Sequence, residues 1–244
     1  MNEPSEGHTV KRYDTELAHL HDLASAMGQL VLGLVHDAVR AFKGVDLTLA
    51  QSVMGRDAEI DRLELVIDRE VITLLARRAP LGGDLRWIIA ISKSVSDLER
   101  TADEAVRIAR TVIQQFGSGS RDVSRQVMGH VAGITNMAID SLQDALKLLE
   151  SRSEEQAEAL IAKQRAIDEE FQSELRRLMT YVLEDARTIG PIISVMLIIK
   201  SLERIGHYAQ NLAEYALFQI EGDARGAQHP PDRDGSGDTP RAES

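Results

Sequence analysis

Cysteine is absent from the 244 residues, which excludes a disulfide framework, a thiolate metal site, an iron–sulfur cluster and a cysteine nucleophile. A reducing cytoplasm is compatible with that absence. Proline is scarce: of six, Pro4, Pro230, Pro231 and Pro240 stand at the extremities, leaving Pro80 and Pro191 between. With only one Trp, four Tyr and four Phe as well, the chain suits long helices rather than strands. No long hydrophobic run occurs. The greasiest stretch, Ile189 to Ile199, is interrupted by Gly190, Pro191 and Ser194, far short of the ~18 to 20 apolar residues of a membrane span. The N-terminus has no basic segment followed by an apolar one, so no signal peptide is expected. Positive charge is also in deficit. Against 39 Asp and Glu stand 28 Lys and Arg, a net charge of −11, which argues against nucleic acid as a partner and favours cations or basic surfaces.

What is present is helical periodicity. Ile60, Leu63, Ile67, Val71 and Leu74 form one apolar stripe, and Leu160, Ile167, Phe171, Leu175, Leu178 and Val182 a second. Val195, Ile198, Leu202, Ile205, Ala209, Leu212 and Ala216 form a third. Punctuation divides the chain into six long helices. The first runs from about Asp14 to Lys43 and stops at Gly44; the second starts near Asp46 or Thr48 and ends before Pro80. Gly82-Gly83-Asp84 opens the third, which ends at Gly117-Ser118-Gly119-Ser120. The fourth covers about Asp122 to Glu150, the fifth begins at the capping box Ser153-x-x-Gln156, and the sixth runs from about Pro191 to Gly222. Residues 1–12 are expected to be flexible and the Gly- and Pro-rich tail 223–244 disordered.

The two halves repeat. Asp37-Ala38 returns as Asp144-Ala145 and Ile60-Asp61 as Ile167-Asp168, both displaced by 107 residues. Leu98-Glu99-Arg100 returns as Leu202-Glu203-Arg204, displaced by 104, and Ala105 and Ala109 match Ala209 and Ala213 at that displacement. A constant offset on either side of a turn is what a duplicated three-helix unit leaves. The expected architecture is all-α, two tandem antiparallel three-helix bundles spanning residues 13–117 and 121–222.

Acids stand one helical turn apart on facing helices. Asp57 and Asp61 are i,i+4, as are Glu99 and Asp103, with Asp97 adjacent. The two pairs are almost equidistant from the intervening turn, with a mismatch of about 3 Å along the hairpin. Four carboxylates therefore meet at one level. They must protonate, capture a cation, or pair with Arg56, Arg62 and Arg100 on a solvated face. An oxygen-rich set suits Mg, Mn, Ca or Fe. In the second half Gln164, Asp168, Glu203 and His207 occupy the matching positions, and Ser201 replaces Asp97. Asp168, Glu203 and His207 remain a possible three-ligand set. Other chemistries lack their residues. There is no phosphate loop, no nucleophile elbow and no His-Glu-x-x-His, and only Glu16-x-x-His19 has the form of a di-iron ligand pair.

The run DLRWIIAISKSVSDLERTADEAVRIA (84–109), with LMTYVLEDARTIG (178–190) and SLERIGHYAQNLAEY (201–215), resembles the PhoU family of bacterial phosphate-signalling regulators. The resemblance covers about residues 12–222. It implies a cytoplasmic, non-enzymatic repressor of the phosphate-starvation response. Such a protein is an adaptor between the ATPase subunit of the phosphate ABC transporter and a phosphate-sensing histidine kinase, reaching the inner face of the membrane only through those partners. It also implies a homodimer with multinuclear iron or zinc, or Mg or Mn, at the acidic motifs. These map intact onto Asp57/Asp61 and Glu99/Asp103, and with two departures onto Gln164/Asp168 and Glu203/His207. An adaptor for a different transporter, or a carboxylate-bridged metalloenzyme, are the alternatives.

Overall fold

A computed structural model describes the backbone of residues 6–117, 125–151, 153–184 and 189–228. Six helices account for it: α1 (Glu6–Gly44), α2 (Leu47–Arg78), α3 (Gly82–Phe116), α4 (Arg125–Ser151), α5 (Glu154–Glu184) and α6 (Ile189–Gln228). The turns sit where the local chemistry demands. Asp46 caps α2 by accepting from the Leu49 amide at 2.9 Å, which relieves one of the unpaired first-turn donors. Ala79, in the left-handed region at φ 43°, closes α2 before Pro80, and Gly82 at φ 59° starts α3. Ser153 caps α5 through the Gln156 amide at 3.3 Å. The reciprocal half of the capping box does not form, because the Gln156 carboxamide oxygen accepts from Ser151 instead.

Two helix ends depart from the sequence expectation. α1 begins at Glu6 rather than Asp14, so the stretch from residue 6 to 12 is helical. α6 continues through Gly222 to Gln228, so 223–228 belong to the helix and not to a disordered tail. Elongating an anchored helix is far easier than nucleating one, and the two glycines that α6 passes at this end, Gly222 and Gly226, each cost only ~1 kcal/mol against alanine. The remaining segments expected to be irregular, 1–5, 118–121 and 229–244, and the start of the fourth helix expected at 122–124, lie outside the described residues.

The stripes read from the sequence are the core. Ile60, Ile67, Val71 and Leu74 of α2, Leu160, Ile167, Phe171 and Leu178 of α5, and all seven stripe residues of α6 are buried; Leu63, Leu175 and Val182 pack against them partly covered. Each large side chain buried this way contributes about 1.5–3 kcal/mol. The helices α1–α3 and α4–α6 each form an antiparallel bundle, and the two share one continuous apolar core. The most extensive helix–helix contact is α3 against α6, with alanines 102, 105, 109, 209, 213 and 216 buried along these two helices. Small side chains allow the close approach. α1 also meets α4, where a Cβ at Gly28 would come within 2.5 Å of Leu146 Cδ2.

Polar groups fix the register of this central pair. Asp97, 1% exposed, accepts from Asn211 Nδ2 and Tyr215 Oη of α6, both at 3.0 Å, and from Arg100 Nη1 at 3.0 Å. Seven residues on, buried Glu104 accepts from Arg204 Nη1 at 2.9 Å. The arginine of the second Leu-Glu-Arg motif is thus a strut between the repeats. Arg86 lies over the Phe218 ring and Ser194 donates to Gln115, so α3 and α6 run antiparallel over their whole shared length. Among the described residues no helix is long and apolar enough to cross a membrane.

Candidate functional site

The level predicted from the hairpin register exists. Asp57, Asp61, Glu99 and Asp103 of α2 and α3 feel one another's charge. Burial, then the neighbouring carboxylates of Asp103, Glu64, Asp61 and Asp57, push Glu99 up from 4.5 to about 7. Burial, Asp61 and Asp103 raise Asp57, with Arg110 opposing. Partial desolvation penalises the charged form, and like charges add to the penalty. Arg110 offsets Asp57 and Arg100 offsets Glu64 only in part, and two of the nearby arginines are bound to other acids. Arg56 is bound to Asp37 of α1 at 2.7 Å, and Arg100 to Asp97.

The level extends further than the sequence reading placed it. Glu64 is raised by burial, by Asp68 and by Asp61, so Asp57, Asp61, Glu64 and Asp68 form one acidic ladder along α2. Their 4,3,4 spacing was legible as a helical face, continuing the pair Asp57/Asp61 for two more steps. Asp97, by contrast, is not part of the level. Two residues along a helix turn the side chain by about 200°, which carries Asp97 from the Glu99 face to the α6 joint. Its metal assignment is corrected to a structural one.

The second repeat is built differently at the same positions. Asp168 accepts from Gln164 Nε2 at 2.8 Å and lies 3.0 Å from His207 Nε2. Glu203, 6% exposed, turns instead to Lys200 Nζ, with which it forms a tight ion pair, and to Gln172 Nε2 at 3.3 Å. The set Asp168, Glu203 and His207 is therefore split between an Asp–His pair and a neutralised glutamate. Gln164 Oε1, buried beside Gly206, has no hydrogen-bond partner among the described residues. Neither Gln172 nor Lys200 was singled out from the sequence. The repeat offsets would have found them, since they replace Leu65 and Ser96 of the first repeat.

The donor set of the first repeat, carboxylate oxygens with an unmet demand for positive charge, suits a hard divalent cation. Among the described residues no group of three or more His, Asp or Glu side chains is arranged to hold a metal ion directly. The chemistry suits a cation, but the arrangement brings no three of these side chains around one point. They do not fit a closed cage.

With this geometry in view, the relatives of the chain are informative. Residues 24–112 and 131–216 each match the PhoU domain, one match inside each three-helix unit. The chain is 39% identical over 216 residues to a phosphate-specific transport system accessory protein PhoU homolog of Pseudomonas putida, covering 88% of this chain and 83% of that protein. It is 34% identical over 228 residues to the homolog of Rhizobium meliloti, covering 93% and 95%. The crystal structure of PhoU from Pseudomonas aeruginosa superimposes with a TM-score of 0.82 at 38% identity, over 86% of this chain and 99% of that one. The phosphate transport system regulatory protein PhoU from Streptococcus pneumoniae follows at 0.77 and 26% identity, over 86% and 97%. Duplicated bundles, the paired Leu-Glu-Arg motifs and matches across both repeats lead to one conclusion: the chain belongs to the PhoU family.

Proposed function

We propose that this protein is an accessory regulator of phosphate transport that represses the phosphate-starvation response when phosphate is plentiful. It acts as an adaptor between the ATPase subunit of the phosphate ABC transporter and a phosphate-sensing histidine kinase, on the cytoplasmic side of the membrane. The observation that carries this reading is the mutually repelling carboxylate level of the first repeat, set in a chain whose relatives are named phosphate-transport accessory proteins. A fixed acidic face on a rigid bundle offers electrostatic selectivity toward a basic partner surface. The role needs no catalysis.

The charge of that face is adjustable. Asp57, Asp61, Glu99 and Asp103, with Glu64 beside them, would hold a hydrated Mg or Mn ion, or iron or zinc where available. A bound cation supplies charge neutralisation there. Asp168, Glu203 and His207 already have partners and would take up less. A homodimer would present two such faces. Deletion of the gene, with a phosphate-starvation reporter read in rich phosphate, tests the regulatory role. The reporter is expected to become constitutively active, and a reporter that stays silent overturns the reading.

A further inference from the structure

At the end of the bundle remote from the α5–α6 turn, α1, α3, α4 and α6 leave a cleft of about 500 Å³ lined by Leu17, Ala18, His21, Asp22, Gly83, Asp84, Trp87, Glu150 and Gln219. It is separate from both carboxylate levels. Its volume falls in the range of small-molecule sites, roughly 300–1,000 Å³. Among the described residues the rim is acidic: Asp22, Asp84 and Glu150 are exposed at its mouth. The interior is not. Trp87 is 9% and Gln219 8% exposed, with Leu17 and Ala18 beside them.

Gln219 is the informative residue. The residue is more than nine-tenths buried and lines the cleft, yet its side chain has no hydrogen-bond partner among the described residues, and its carboxamide stays open to the cleft. A carboxamide with no protein partner is free to pair with whatever fills the cleft, and a ligand donor there takes its oxygen. His21 faces the same space with its tautomer constrained. Its Nε2 lies 3.0 Å from the Leu149 carbonyl and must donate to it, which leaves the Nδ1 side, 3.8 Å from Asp22, toward the rim.

We infer that this cleft binds a small linear organic polycation, a di- or triamine of the polyamine class. The occupant needs N–H donors for the Gln219 carboxamide oxygen and positive charge for three carboxylates. It also needs a methylene stem to lie along Trp87, Leu17 and Ala18, where cation–π attraction adds to apolar contact. A bare metal ion meets only one of these demands, and no three of the acids are arranged around a common ion. An anion is repelled by the rim. One ammonium sits at the floor against Gln219, and the second at the mouth among Asp22, Asp84 and Glu150.

The test is direct because Trp87 is the only tryptophan of the chain. Its fluorescence is followed while the full-length protein is titrated with spermidine, and with MgCl2 at matched ionic strength. Spermidine is expected to give a saturable change and Mg none. Gln219→Leu and the pair Asp22→Asn/Glu150→Gln should each weaken the spermidine response about tenfold, the worth of a charge-assisted hydrogen bond. Circular dichroism checks that the variants remain folded. Glu99→Gln, on the distant level, should titrate as the wild type. No saturable spermidine signal, an equal response to Mg, or folded cleft variants that bind as well as the wild type would each overturn the inference.

Discussion

The two repeats place carboxyl groups at equivalent positions and treat them in opposite ways. In the first, Asp57, Asp61, Glu99 and Asp103 share a level that Arg110 offsets only in part, and burial together with the neighbouring carboxylates lifts Glu99 to about 7. In the second, Asp168 is held between Gln164 and His207, and Glu203 between Lys200 and Gln172. The difference comes from four substitutions: Gln164 for Asp57, His207 for Asp103, Lys200 for Ser96 and Gln172 for Leu65. Duplication supplied one scaffold twice. One copy keeps a mutual repulsion that a proton or a cation relieves, and the other resolves it internally. A fold can therefore hold a mutually repelling acidic face and an internally paired one at symmetric places without altering a helix.

The comparison can be broken most sharply by removing acids from each level. Asp57→Ala/Asp61→Ala is expected to weaken Mn uptake about a hundredfold, roughly 2.7 kcal/mol, while Asp168→Ala/Glu203→Ala leaves most of it. Elemental analysis and calorimetric titration of the purified variants measure both, and equal losses would mean that the repeats are equivalent after all.

Lys200→Ala tests the internal neutralisation. It leaves Glu203 buried with Gln172 alone, a loss of about 2 kcal/mol once the half-exposed position of Lys200 is allowed for. Urea unfolding should show that loss as a lower midpoint. The reverse exchange at the equivalent position, Ser96→Lys, should stabilise the cation-free protein.

The smallest effect is the pH dependence of Glu99. Its folded value lies above the unfolded 4.5, so the folded state holds the proton more tightly. Stability from this group is therefore full below about pH 4.5 and declines as pH rises toward 7. Glu99→Gln should raise the melting temperature of the cation-free protein at pH 8 and leave it nearly unchanged at pH 4. Saturating Mg should erase the gain at pH 8. A gain of the same size at both pH values would show that charge is not its cause.

Much of this molecule was legible without coordinates. The stripe Val195 to Ala216 is the buried face of α6, Asp46 and Ser153 cap where spacing placed them, and the hairpin register put Asp57 opposite Asp103. Helix ends were less legible. Glu6 and Gln228 are reached because elongation tolerates residues that would never nucleate a helix. Among the site residues, Glu64 and Asp68 continued a readable ladder, whereas Asp97 was misplaced because adjacency in sequence is not adjacency on a helix.

The sequence by itself determined the helices, their duplication and the pairing of acids within each hairpin, because these depend on periods of a few residues and on distance from a turn. Tertiary structure decided the rest. Only packing of α3 on α6 showed that Asp97 and Glu104 hold the repeats together, drawing Arg100 and Arg204 into that joint. Only the meeting of α1, α3, α4 and α6 assembled Trp87, Gln219 and three rim carboxylates around one cleft. Such choices of partner depend on which faces are buried against each other, and residues more than a hundred positions apart carry no local signal of that.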